Sequence, residues 1–102
     1  MKTVRDLKVG DICYYVTPLR DAGTITVSEV LESMKEPNHY KIRFQEGLTV
    51  HAYALSRAME YCGTFIFLEK DKAIENLQYY KRTIERHINN LSNVRSCCNG
   101  NT

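Results

Sequence analysis

The sequence predicts an α+β fold: a strongly bent antiparallel sheet of about five strands, or a small open β-barrel, followed by a long C-terminal α-helix. Three observations carry this expectation. Up to residue 68 the apolar residues alternate in short runs separated by turn formers. From Lys70 the apolar period becomes helical. Near Ser28 and Glu29 the alternation slips phase within a run. Such a slip marks a bulge or sharp bend, which is how a small sheet curls toward a barrel.

Val9-Gly10-Asp11 makes a turn into GDICYYVT, residues 10–17, where Ile12, Tyr14 and Val16 alternate with Cys13, Tyr15 and Thr17. Both sets are rather apolar, as in a strand covered on both sides. The segment TPLRDAG, with Pro18 and Gly23, reads as a loop. GTITVSEVLES then places Ile25 and Val27 on one face, with Val30 and Leu31 after the change of phase. Beyond the loop around Pro37 and Asn38, HYKIRFQ sets Tyr40, Ile42 and Phe44 against Lys41, Arg43 and Gln45. A turn at Glu46-Gly47 leads into LTVHAYA, with Leu48, Val50 and Ala52 inward and Thr49, His51 and Tyr53 outward, which completes an antiparallel hairpin. LSRAMEYC, residues 55–62, reads as one helical turn or an irregular crossing, and Gly63 releases the chain into TFIFL, a short buried strand.

In the helix, expected over about 70–95, Ile74, Leu77, Tyr80, Ile84, Ile88, Leu91 and Val94 form one apolar stripe. Glu69 and Asp71 lie at its positive N-terminal end. The stripe is long for so small a sheet. Its distal part, from about Ile84 to Val94, is therefore expected to overhang and to need a partner, either foreign or a second copy joined through the helix.

The 102 residues, 43% hydrophobic and 25% charged, are expected to form one domain over 1–102: about 8–68 the sheet, about 70–95 the helix, 96–102 a flexible tail. That length speaks against a large enzyme with a deep cleft. No run approaches the roughly 20 apolar residues of a membrane span, and MKTVRDLKVGD has no apolar signal core, so no membrane partner and a cytoplasmic location are expected. The net charge of +2 is too balanced to identify a nucleic-acid binder, although from Gln78 to Cys98 four bases stand against one acid, Glu85.

No phosphate loop, dinucleotide fingerprint, zinc ligand pair or triad spacing is present. His39, His51 and His87 have no other ligand residue at short spacing, and no metal or cofactor is expected. Cys13, Cys62, Cys97 and Cys98 read as reduced thiols, with the last two exposed in a polar tail. A nucleophilic Cys13 or Cys62 would need a neighbouring histidine, whereas both are expected in apolar strand surroundings that raise a thiol pKa. The chain is read as non-enzymatic.

Seven tyrosines exceed what so small a core holds. Two surfaces follow. On the helix, Tyr79, Arg82 and Arg86 are expected to flank the apolar stripe and to join Ile88 and Leu91 in one contact surface, while Lys81 and Glu85 form an i,i+4 pair. On the sheet, Arg43, His51 and Tyr53 form a second candidate. Against these stands the plain alternative of a solvated helix face and half-buried tyrosines covering a thin sheet.

VGDICYYV, residues 9–16, and FIFLEKDKAIENL, residues 65–77, resemble the opening strand and the strand-to-helix junction of small accessory proteins of phages and mobile elements. Those stretches are structural punctuation covering about a fifth of the chain, and Glu69 stands where that pattern has a serine cap. The resemblance implies a compact, non-enzymatic binder, in some cases an inhibitor of host defence, and supplies no catalytic residues. The expectation is thus a host-protein binder acting by occlusion. Two alternatives stay open. One is a small-barrel nucleic-acid binder using Lys41, Arg43, Tyr53 and Arg57; the other is a nucleotide-sequestering homo-oligomer with tyrosines and arginines at subunit boundaries.

Overall fold

A computed structural model describes residues 2–94. The expected tail, with Cys97 and Cys98, lies outside the described residues, as does Arg95. The chain runs through a short 3₁₀ turn, Val4–Asp6, and six strands: β1 (Ile12–Thr17), β2 (Asp21–Glu32), β3 (His39–Phe44), β4 (Thr49–Tyr53), β5 (Ala58–Tyr61) and β6 (Thr64–Phe67). One helix, α1 (Lys70–Ser92), follows. The strands form one antiparallel sheet in the order β4-β3-β2-β1-β6-β5, curled into a nearly closed barrel.

The curl originates in β2. Its first half pairs with β1, from Asp21 opposite Thr17 to Thr26 opposite Ile12, and its second half pairs with β3. Between Val27 and Glu29 the register shifts, at the phase slip read from the sequence. The extra residue, Ser28, turns its hydroxyl to donate to the Arg43 carbonyl at 3.1 Å, and the strand bends there. The remaining gap lies between β4 and β5. The 3₁₀ turn docks on the loop that joins these two strands, with the Arg5 N–H donating to the Ala54 carbonyl and the Val4 N–H to the Ser56 carbonyl, both at 2.9 Å. Two loop carbonyls gain backbone partners in this way. Val4 and Leu7 are thereby driven into a core built around Phe44, Ile42, Ile66, Val27 and Cys13.

The strand count is six rather than five. Residues 58–61 are a strand, not a helical turn or irregular crossing, because Cys62 and Gly63 form a two-residue hairpin turn with φ of 49° and 85°. Both central residues are left-handed, as that hairpin requires. Only Met59 of β5 is buried, so the strand carried almost no alternation to read. The same turn corrects the expectation for Cys62, which is exposed rather than enclosed by apolar neighbours.

Gly23 lies inside β2 and not in a loop. It sits directly opposite Tyr15, whose ring covers it, and the Tyr15 hydroxyl donates to Asp21 Oδ2 at 2.7 Å. That bond raises the Tyr15 pKa. A Cβ at residue 23 would meet Tyr15 Cε2 at 2.9 Å. Gly23→Ala is therefore expected to cost about 1–2 kcal/mol by crowding the tethered ring. In a Tyr15→Ala background the same change is expected to be neutral or stabilising, because alanine is otherwise the better strand residue by about 0.5–1 kcal/mol. Urea denaturation of the four proteins of this cycle measures the difference, and an equal penalty in both backgrounds would contradict it.

The strand β1, read from its two apolar sets as covered on both sides, is so at its Val16 end, whereas Ile12 at its start is 49% exposed. Cys13 and Tyr15 face the core, while Val16, fully buried, lies beneath the first turns of α1 near the buried Ala73. Glu69 is the N-cap residue but makes no side-chain cap. Its carboxylate accepts the Lys2 N–H at 3.0 Å instead, fastening the N-terminal segment to the start of the helix. Nearby, the Lys8 N–H donates to Asp11 at 2.9 Å and holds that carboxyl below its ordinary range, while Lys2 Nζ lies 3.2 Å from it.

As the length of the apolar stripe predicts, α1 packs on β1 and β6 through its first turns and then leaves the barrel. Ala73 is its only buried residue. The molecule accordingly measures 65 × 25 × 25 Å. A 23-residue helix is about 35 Å long, so most of that length projects.

Candidate functional site

On an α-helix successive residues are about 100° apart, which sorts the exposed side chains of α1 into distinct faces. Ile74, Leu77, Ile84, Ile88 and Leu91 lie along one side and are 43%, 40%, 37%, 56% and 75% exposed. Tyr79, Arg82 and Arg86 lie together within roughly 60° of arc on the opposite side. The single contact surface expected from the sequence therefore resolves into two. The reason is geometric: residues 79, 82 and 86 are spaced to meet one another, but 86 and 88 are almost half a turn apart.

Tyr79 is well exposed and touches Tyr80 edge-on, with ring centroids 5.6 Å apart. Arg82 and Arg86 are exposed too. Among the described residues the ion pairs are Lys2–Asp11, Arg43–Glu29 and Lys72–Glu75, so neither arginine is ion-paired among them. Glu75, the acid on the same side one turn earlier, is 3.6 Å from Lys72. The expected Lys81–Glu85 pair is not formed, and both groups stand exposed.

The sheet candidates are brought near one another by the β3–β4 hairpin. Lys41 is opposite His51 and His39 opposite Tyr53, the last two rings meeting edge-on at 5.5 Å. Arg43 is exposed but lies 3.3 Å from Glu29 across the β2 bulge. A groove of about 290 Å³ beside these strands is lined by Lys41, His39 and His51 together with Glu32 and Glu36. Acids interleave with bases there, which weakens attraction for a phosphate backbone. Arg57 does not join this patch and lines a groove with Lys2, Glu69 and Lys72.

Of the cysteines considered as nucleophiles, Cys13 is wholly buried and its pKa is pushed up to about 11 by burial. A thiol so held is almost entirely protonated at neutral pH. Among the described residues, no three His, Cys, Asp or Glu side chains converge as metal ligands, and no helix is long and apolar enough to cross a membrane.

One feature was missed in the sequence reading. Beside α1, Tyr14, Tyr15 and Gly23 of the barrel and Lys70, Ile74 and Leu77 of the helix line an open apolar groove of about 340 Å³. Its helix wall, Ile74 and Leu77, begins a series that continues through Lys81, Ile84, Ile88 and Leu91 in strict alternation of three and four; the barrel wall has no signal in the sequence because it exists only once β1 and β2 pair.

Barrel, groove and projecting helix together define a small α+β barrel protein with a cantilevered amphipathic helix. No family model, curated protein or solved structure matches the chain.

Proposed function

We propose that this protein is a non-enzymatic binding module, an accessory or anti-defence protein of a phage or mobile element, which inhibits a host protein by occlusion. The observation that supports this reading is the Tyr79, Arg82 and Arg86 face on a projecting helix, with both guanidinium groups free of ion pairs among the described residues. Tyrosine and arginine are the side chains most enriched at binding hot spots, the one for rigid amphipathic area and the other for bidentate bonds to carboxylates. The partner is a protein surface with acidic groups around an aromatic pocket. The Arg43, His51 and Tyr53 patch is the lesser candidate because Glu29 already engages Arg43.

Tagged protein is expected to retain one stoichiometric host protein from nuclease-treated bacterial lysate. The Tyr79→Ala, Arg82→Ala, Arg86→Ala triple variant is expected to bind it at least about 100-fold more weakly, since each hot-spot truncation costs roughly 1–2 kcal/mol or more. All three positions are exposed, so circular dichroism should show the fold unchanged. Undiminished affinity of the triple variant would remove this face from the site. Retention of nucleic acid alone would overturn the protein-binding reading.

A further inference from the structure

We infer that the apolar face of α1 is covered by a second copy of this chain, the two helices pairing antiparallel about a two-fold axis between residues 82 and 83. The inference goes beyond the host-binding reading and does not depend on it. The alternation of three and four residues places Ile74, Lys81 and Ile88 at one set of seam positions and Leu77, Ile84 and Leu91 at the other. This is a two-helix seam with one charged interruption.

That interruption selects the arrangement. In a parallel, in-register pair Lys81 would face Lys81 of the partner subunit, bringing two ammonium groups together in the middle of an apolar seam. Reversing one helix about residues 82 and 83 sets Ile74 against the partner's Leu91, Leu77 against the partner's Ile88 and Lys81 against the partner's Ile84. Glu85 of the partner subunit then falls at the level of Lys81 and on the same flank. The two-fold repeats the match, giving two ion pairs at the centre from groups that form no ion pair among the described residues.

The barrel fits the same register. It packs on the side of α1 that carries Ala73 and leaves the groove between Tyr14, Tyr15 and Gly23 and the first helix turns open. The partner's Ile88 and Leu91, among the most exposed apolar side chains of α1, are carried to that groove, while each copy's own groove receives the other's helix end. The most exposed end of the stripe and the apolar groove at its start are thus mutually complementary, which is the requirement of an isologous interface. A helix about 35 Å long, paired over nearly its whole length and extended by the groove, is on the scale of interfaces that bury about 1,200–2,000 Å². Tyr79, Arg82 and Arg86 remain on the outer side of both helices, so the assembly presents the host-binding face twice.

Sedimentation equilibrium of the full chain tests the inference. Wild type is expected at twice the chain mass, and Ile88→Asp at the monomer mass with its helix signal largely retained. Lys81→Glu and Glu85→Lys are each expected to weaken dimerisation at least about 10-fold, because each places like charges at both central contacts. An equimolar mixture of the two restores the dimer, since every central contact is again between opposite charges. A monomeric wild type at about 100 μM would overturn the inference. So would a Glu85→Lys protein that dimerises as tightly as wild type, because a parallel seam does not use Glu85. These readings are made on purified protein, so they stand or fall separately from capture of a host partner.

Discussion

Phe44→Ala is expected to lower the unfolding free energy by about 3–5 kcal/mol, a large share of the roughly 5–15 kcal/mol that holds a domain of this size. Phe44 is the largest fully buried side chain and pairs with Val27 at the β2 bulge, where the sheet bends over the core. Truncation leaves a cavity beside the β2 bulge. The neighbouring backbone has little freedom to collapse into it, because the Phe44 N–H donates to the Leu48 carbonyl at 2.8 Å and the Gln45 N–H to the Thr26 carbonyl at 2.8 Å. Urea denaturation at neutral pH measures the loss. Phe44→Leu, which refills most of the volume, is expected to recover more than half of it. A loss below about 1 kcal/mol for the alanine variant would mean that the core is not organised around this ring.

Stability is also expected to fall between about pH 9 and 11 through Cys13. Its thiol is neutral and buried in the folded state, with a pKa raised by burial to about 11, whereas in the unfolded chain it ionises near its ordinary value of 9.0. A raised folded pKa stabilises fully below the unfolded value and is lost as pH rises through the folded one. The unfolded state alone releases the proton in that window, so the slope with pH is negative. The two-unit difference amounts to about 3 kcal/mol. Tyrosines and lysines titrate in the same range, so the test is the difference between wild type and Cys13→Ala. The variant is expected to show a flatter decline from pH 9 to 11, and parallel curves would refute the assignment. In the folded protein Cys13 should also be alkylated far more slowly than the exposed Cys62.

Single residues show where local pattern ends and tertiary contact takes over. Alternation in Tyr40, Ile42 and Phe44 was enough to define β3 because one face of that strand is buried and the other wet. The phase slip at Ser28 was legible for the same reason, since a bulge must shift which residues point inward. The strand β5 was not legible. It buries Met59 alone, and its identity depends on pairing with β6 through a turn whose first left-handed residue is a cysteine rather than the usual asparagine or aspartate. Residue type alone makes Gly23 a turn former, because glycine usually is one. Its actual role, making room for the Tyr15 ring, exists only once β1 and β2 are in register.

The candidate sites divide in the same manner. Tyr79, Arg82 and Arg86 could be named from residue type, and the overhang of the stripe could be anticipated from its length. Which residues share a face depended on converting spacing into helical angle, and that conversion separates Arg86 from Ile88. The pairing of Arg43 with Glu29 depends on the bulge that brings β2 and β3 together, a contact between residues fourteen apart in the chain.

By itself the sequence determined the α+β class, the bend in the long strand and the amphipathic helix, because periodicity and phase are local records of which side chains avoid water. Only the tertiary structure decided that six strands nearly close, that the 3₁₀ turn docks on the β4–β5 loop, and that the helix leaves the barrel after its first turns. Those outcomes depend on which distant surfaces meet. Ala73 is the one buried position of α1 and every residue from Ile84 to Ser92 is exposed, so the distal half of the helix is not covered by any described part of the chain.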